Sequence, residues 1–155
     1  MYKIIFLLLF SLFSAELNKS DACLIEKLVS QRKLNDLCRY VSIVDREEHY
    51  HSACNLLAFY GQDDLIDEYI DLFKPKLNLA RLDKNGVSAL HYAAYSGSVS
   101  VARTLIAKGC STNIKDVRGI SFRDFVKRHG KSPRFIETLS NYVPELRSNY
   151  SQKNK

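Results

Sequence analysis

The sequence predicts an all-α chain: a solenoid of three to four helix-hairpin units joined by short β-hairpin-like loops. Three observations carry this. Gly86 recurs as Gly119 and Gly97 as Gly130, each 33 positions on, a period at which repeat proteins stack one supersecondary unit per repeat. Apolar residues recur at spacings of three and four, the helical period. Polar clusters such as 31–33 and 83–85 separate the apolar runs where turns are needed. The chain has 155 residues, 46% apolar and 26% charged, a composition that suits one ordinary globular domain.

The first element is a leader. Met1-Tyr2-Lys3 gives a positive start, an apolar run from Ile4 to Phe13 is broken only by Ser11, and Ser14-Ala15 precedes Glu16. This is the pattern of a secretory signal peptide over 1–15. The run is about half the roughly 20 residues that a membrane span needs. A secreted or periplasmic location is therefore expected; the alternative is an uncleaved apolar anchor holding a structural or scaffold protein outside the cytosol. Residues 16–45 follow as an N-terminal helical cap. Leu24, Ile25, Leu28 and Val29 form one stripe, Leu34, Leu37, Cys38, Val41 and Val44 another, with Gln31-Arg32-Lys33 as the bend. Cys23 and Cys38 lie on the two arms of this hairpin. In an oxidising compartment they are the best-placed pair for a disulfide, which would contribute about 2–4 kcal/mol. Cys54 and Cys110 read as packed thiols, and no two cysteines stand at zinc-pair spacing.

Residues 46–82 form the next unit. Ser52 to Gly61 lies over Ser88 to Gly97 at a spacing of 36. A second helix over about 65–73 is rich in Asp and Glu, and Lys74-Pro75-Lys76 marks the insertion that lengthens the spacing. The unit at 83–115 is the clearest. Asp83-Lys84-Asn85 is a polar turn, and Gly86 supplies the left-handed residue it needs. Ser88 caps a helix over about 89–95 whose shared face is Leu90, Ala93 and Ala94. Gly97 ends that helix as a left-handed cap. Val99, Ala102, Leu105 and Ile106 give a second helix, which Gly109 ends. Residues 116–144 open a further frame, with Gly130 ending its first helix and a second helix over about 132–142. Residues 145–155 are a polar, flexible tail.

The run 83–116 resembles one complete ankyrin repeat. On that resemblance 46–82 is a degenerate repeat, with Cys54 for Leu, Asn55 for His and Tyr50 for the turn Gly. The frame 116–144 is then a C-terminal capping repeat, with Arg123 and Asp124 in place of Leu-His. The resemblance spans about 46–142. Ser88-Ala89-Leu90-His91 resembles the Thr-Pro-Leu-His motif, which implies that Ser88 and His91 hold the hairpin to the helix rather than act on a substrate.

Ankyrin proteins bind through hairpin tips and the exposed ends of the first helices. The resemblance therefore implies a face of Lys84, Asn85, Val87, Tyr95 and Ser96, preceded by Glu48, His49, His51, Phe59 and Tyr60. Val117, Arg118, Ile120, Arg128 and His129 follow it. It also implies a non-catalytic binding module with no cofactor, one that binds or inhibits a partner protein as a monomer or in complex. A periplasmic toxin-neutralising role and a secreted effector role both fit. The net charge of +6 falls after position 117, where nine Lys and Arg face three acids. That basic end suits an acidic protein or an anionic membrane surface. Nucleic acid is not expected, because the basic run lacks aromatics placed for base stacking. His49 and His51 beside Glu47 and Glu48 are metal-ligand types, but no second cluster supports a metal site. The chain carries neither a glycine-rich phosphate loop nor a nucleophile elbow.

Overall fold

The computed structural model describes residues 19–129 and 134–146. The leader, Gly130 and the tail beyond 146 lie outside the described residues. The helices come in pairs: α1 Lys19–Ser30 with α2 Leu34–Val44, α3 Glu47–Phe59 with α4 Asp63–Phe73, α5 Ala89–Ser96 with α6 Val99–Ala107, and α7 Phe122–His129 with α8 Phe135–Ser140. Short 3-10 turns follow at Lys74–Lys76 and Pro144–Leu146. Among the described residues no strand forms, and a single bridge joins Lys115 to Ser121.

One turn geometry makes every complete pair. Arg32, Gly61 and Gly97 all have positive φ (56, 65 and 77°). The next residue's N–H reaches back to the first helix: Lys33 to the Leu28 carbonyl, Gln62 to Leu57, Ser98 to Ala93. This is the left-handed helix stop that glycine favours. In the first pair an arginine occupies it, so the 16–45 hairpin has the repeat's geometry without its signature.

The pairs stack in two layers. Helices α1, α3, α5 and α7 pack side by side in one layer, and α2, α4, α6 and α8 in the other. Neighbours on both sides explain the burial of α3 over nine positions and of α5 from Ala89 to Ala94. Small residues at Ala53, Ala58, Ala93 and Ala94 let these helices approach closely. The second-layer helices bury one stripe only, Ile66, Tyr69 and Ile70 in α4 and Val101, Ala102 and Leu105 in α6.

Several expected boundaries move. α4 starts at Asp63, two residues before the expected 65, and α8 is shorter than 132–142, because the chain turns at Asn141 and enters a 3-10 turn at Pro144. In α1 the buried stripe is Ala22, Ile25 and Val29, while Leu24 is exposed. The expected insertion at 74–76 is the 3-10 turn. The acidic α4 is a seam rather than a bare face: Asp63 accepts from Ser100 at 2.8 Å, Asp64 pairs with Arg32, and Lys108 bridges Asp67 and Asp71.

Candidate partner-binding face

Two hairpins of the same design lie between successive first-layer helices. In the first, the Asp83 N–H donates to the Val87 carbonyl at 2.9 Å and the Gly86 N–H to the Asp83 carbonyl at 2.8 Å. Asp83 Oδ1 accepts the Asn85 and Val87 N–H groups at 2.8 and 3.0 Å, and Oδ2 accepts the Tyr92 hydroxyl at 2.6 Å. The second repeats this 33 positions on. Asp116 N–H donates to the Ile120 carbonyl at 2.9 Å, and Oδ1 accepts from Arg118 and Ile120 at 2.9 and 2.8 Å. An aspartate that satisfies its own turn's N–H groups fixes the loop locally. Its Oδ2 also holds the Arg118 guanidinium at 2.9 Å. The hairpins are joined by Val117 N–H to the Gly86 carbonyl at 3.0 Å. Lys84, Asn85 and Val87 are half-buried here, and Val117 and Arg118 are exposed.

The first-layer helix ends complete the face. Tyr95 stacks on Phe59 with centroids 5.6 Å apart and planes 13° from parallel. Phe59 also meets Tyr60 and Tyr92 edge-on, an arrangement aromatic pairs favour. Phe59, not Tyr60, is thus the residue equivalent to Tyr95. Tyr60 donates to Glu26 Oε1 at 3.0 Å, and burial followed by the Glu26 carboxylate pushes its phenol up. Ser96 donates to the Ala93 carbonyl at 2.9 Å, which secures the helix end before Gly97. Arg128 is exposed at the end of α7; the His129 side chain lies outside the described residues.

The central motif is structural in its contacts. Ser88 and His91 form a capping box at the start of α5. Ser88 Oγ lies 2.8 Å from His91 Nδ1 and the Ser88 N–H points to the same nitrogen at 3.4 Å, so Nδ1 accepts and the proton sits on Nε2. Nε2 is buried with no hydrogen-bond partner among the described residues, and the Ile120 backbone of the next hairpin acts on the imidazole. The ring is buried beside Phe125 at 5.0 Å, and Leu90 is fully buried. Gly109, at φ 104°, ends α6 with its N–H on the Ile106 carbonyl.

These contacts make stability depend on pH. Burial lowers the His91 pKa below 6.5, against the opposing pull of Asp116, the Ile120 carbonyl and Asp83. Burial tends to raise Asp116, but the Ile120 N–H and Arg118 win and hold it below 3.8. Both groups bind more protons unfolded than folded. Their contribution is therefore complete above the unfolded values and declines as pH falls toward the folded ones. Melting temperature is expected to fall from pH 7 to 5 through His91 and again below pH 4 through Asp116. Imidazole NMR that placed His91 at or above 6.5 would contradict this.

Other expected positions are committed elsewhere. Only Asp45 and Arg46 join α2 to α3, so no hairpin precedes α3 and Glu48, His49 and His51 are helical. His49 is buried with Nε2 3.1 Å from Asp21 Oδ2, and Asp21 also accepts from Tyr40 at 2.7 Å. His51 bonds Asn78 backbone atoms and the Glu47 carbonyl. No group of three potential metal ligands gathers among the described residues. All four cysteines are free thiols, so the expected Cys23–Cys38 bridge is not formed. Cys23 lies on the exposed side of α1, whereas Cys38 turns toward α4, where burial and then Glu68 push its thiol up to about 11. Cys54 and Cys110 are buried and pushed up to about 12, as packed thiols should be.

Asp83, Tyr92 and Asp116 support the face without any motif to mark them in the sequence beyond the 33-residue interval of the two aspartates. The Phe59–Tyr95 stack is marked only by its spacing of 36, which matches that of Gly61 and Gly97. No curated protein matches the chain. A family model described as ankyrin repeats matches residues 12–116 in three copies. The match takes in the N-terminal hairpin, which the resemblance by residues had left outside, and stops before the last frame. Covering more than half of the chain, it shows that this protein belongs to the ankyrin repeat family.

Proposed function

We propose that this chain is a non-catalytic binding protein that works outside the cytosol. It grips or inhibits a partner protein through the face made by Lys84, Asn85, Val87, Tyr95, Ser96, Val117, Arg118 and Arg128. Ankyrin repeats are generally protein–protein interaction modules and typically non-catalytic. The observation that carries the reading is the Phe59–Tyr95 stack beside two hydrogen-bonded hairpins. It combines aromatic area with a backbone already ordered, and such surfaces lose little entropy on binding. The leader pattern over 1–15 supports export, and the basic residues after 117 suit an acidic partner. The face would serve either to neutralise a toxin in the periplasm or to act on a host protein after secretion.

A photo-crosslinking residue placed at position 95 or 118 of the full chain, in its native compartment, tests the reading. Adducts from these positions and none from position 72, on α4 in the second layer, are expected. Tyr95→Ala is expected to weaken the captured complex by about 10–100-fold, and loss of the Phe59 stack is expected to lower melting by only a few degrees. Adducts only from position 72 would place the interface elsewhere. N-terminal sequencing of the same material is expected to begin near Glu16; a retained residue 1 would sink the cleaved-leader reading.

A further inference from the structure

The sites equivalent to Tyr95 change character along the stack. Phe59, Tyr95 and Arg128 each stand two residues before Gly61, Gly97 and Gly130. The row therefore runs aromatic, aromatic, arginine. The hairpin tips carry one cation each, which shifts position: Lys84-Asn85 in the first hairpin corresponds to Val117-Arg118 in the second. Arg118 is fixed by Asp116 through Nε at 3.1 Å and Nη2 at 2.9 Å. Its side chain remains 60% exposed while that of Asp116 is fully buried. The guanidinium is thus oriented with donors left outward. The face's own carboxylates, Asp83 and Asp116, are spent on their turns, and Asp124 caps α7 with Ser121 and pairs with Lys127. The chain's acidic cluster sits on α4 in the second layer and is tied to Arg32, Ser100 and Lys108. Charge is therefore segregated, with Lys84, Arg118 and Arg128 on the binding face and the acidic cluster on the other layer, and two of the three cations lie toward the C-terminal end.

We propose that this face reads an extended acidic segment of the partner protein, seating an aromatic or large apolar side chain at Phe59–Tyr95 and a carboxylate at Arg128 and Arg118. Packed helices stand roughly 10 Å apart and an extended chain advances about 3.3 Å per residue. One repeat therefore spans about three residues, and the motif is an anchor followed or preceded three positions away by Asp or Glu. Charge complementarity favours this occupant over a basic or neutral segment. The inference rests on the proposed binding face and adds the chemistry of what enters it.

Selection of a displayed random dodecapeptide library against the full chain tests it, followed by anisotropy with fluorescein-labelled synthetic peptides. Enrichment of anchor-x-x-acid peptides is expected. Exchanging the peptide acid for its amide, or Arg128→Glu in the protein, should each weaken binding at least 10-fold. A peptide with Lys at the acid position should regain affinity for Arg128→Glu. Arg128→Gln with unchanged melting guards against misfolding, and Leu72→Ala should bind as the parent does. Peptides that need Tyr95 but carry no acid would overturn the inference and leave the binding face standing. Peptides indifferent to Tyr95→Ala would overturn both, and no peptides at all would overturn the inference, while the crosslinks from position 95 decide the binding face. Sedimentation with phosphatidylglycerol vesicles that Arg128→Glu abolishes, with no acidic peptides selected, would reassign the cations to a lipid surface and overturn the inference.

Discussion

Substituting alanine for Gly86 is expected to lower stability by about 3 kcal/mol and the melting temperature by roughly 10 °C. Two effects combine. Gly86 sits at φ +67°, where an L side chain is strained whatever the space around it. A methyl group there would also stand 2.1 Å from Val117 Cβ and 2.7 Å from the Val117 backbone nitrogen. The second hairpin must then move, and the Val117 to Gly86 hydrogen bond goes with it. Gly119 is the internal control: its φ is +76°, but nothing lies within 4 Å of a Cβ placed on it. Gly119→Ala carries only the backbone strain, about 1 kcal/mol. Urea unfolding of the two variants measures the difference. Equal losses would mean that contact between the hairpins contributes nothing.

Phe122→Ala is expected to unfold the last repeat while the rest of the stack persists. Phe122 is fully buried at the start of α7, with ring centroids 6.3 Å from His91 and 6.2 Å from Phe135. It therefore touches both the preceding repeat and its own second helix. Truncating such a ring costs about 3–5 kcal/mol. An interior repeat would share that loss between two neighbours. The last has contacts with one neighbour among the described residues, so its local stability is intrinsic folding plus a single interface. Amide exchange should accelerate strongly in α7 and α8, with α3 and α5 still protected. A single cooperative loss of protection across all helices would show that the repeats do not uncouple.

What could be read from the sequence follows the regularity of the spacing. Gly86, Gly97, Gly109 and Gly119 sit at positive φ as the turn chemistry required, and the Ser88–His91 pairing appeared as the motif implied. The first half was harder for three physical reasons. Arg32 takes the left-handed stop, so no glycine marked the first pair. Asp45 also adopts positive φ and turns the chain directly into α3, which removes a hairpin that alignment had expected. The interval between Arg32 and Gly61 is 29 rather than 33, which hides the period. Tyr60 illustrates the local limit. It stands one position from the equivalent site, and that offset turns it toward Glu26 and leaves the stack to Phe59.

The packing of α5 has a consequence for how such a chain can change length. α5 contacts a helix of its own kind on each side, α3 and α7, and every element pair in substantial contact lies within one repeat or between adjacent ones. Among the described residues, no substantial contact between elements closes the stack upon itself. The unit 83–115 therefore presents one flank that accepts its like and one that its like accepts. Duplication of that unit would extend the row of hairpins by one step without disturbing either end. The architecture is an open ruler whose length is set by copy number, and the small, apolar α5 pattern is lost in α7, where Arg123 instead donates to the Leu146 carbonyl at 2.8 Å.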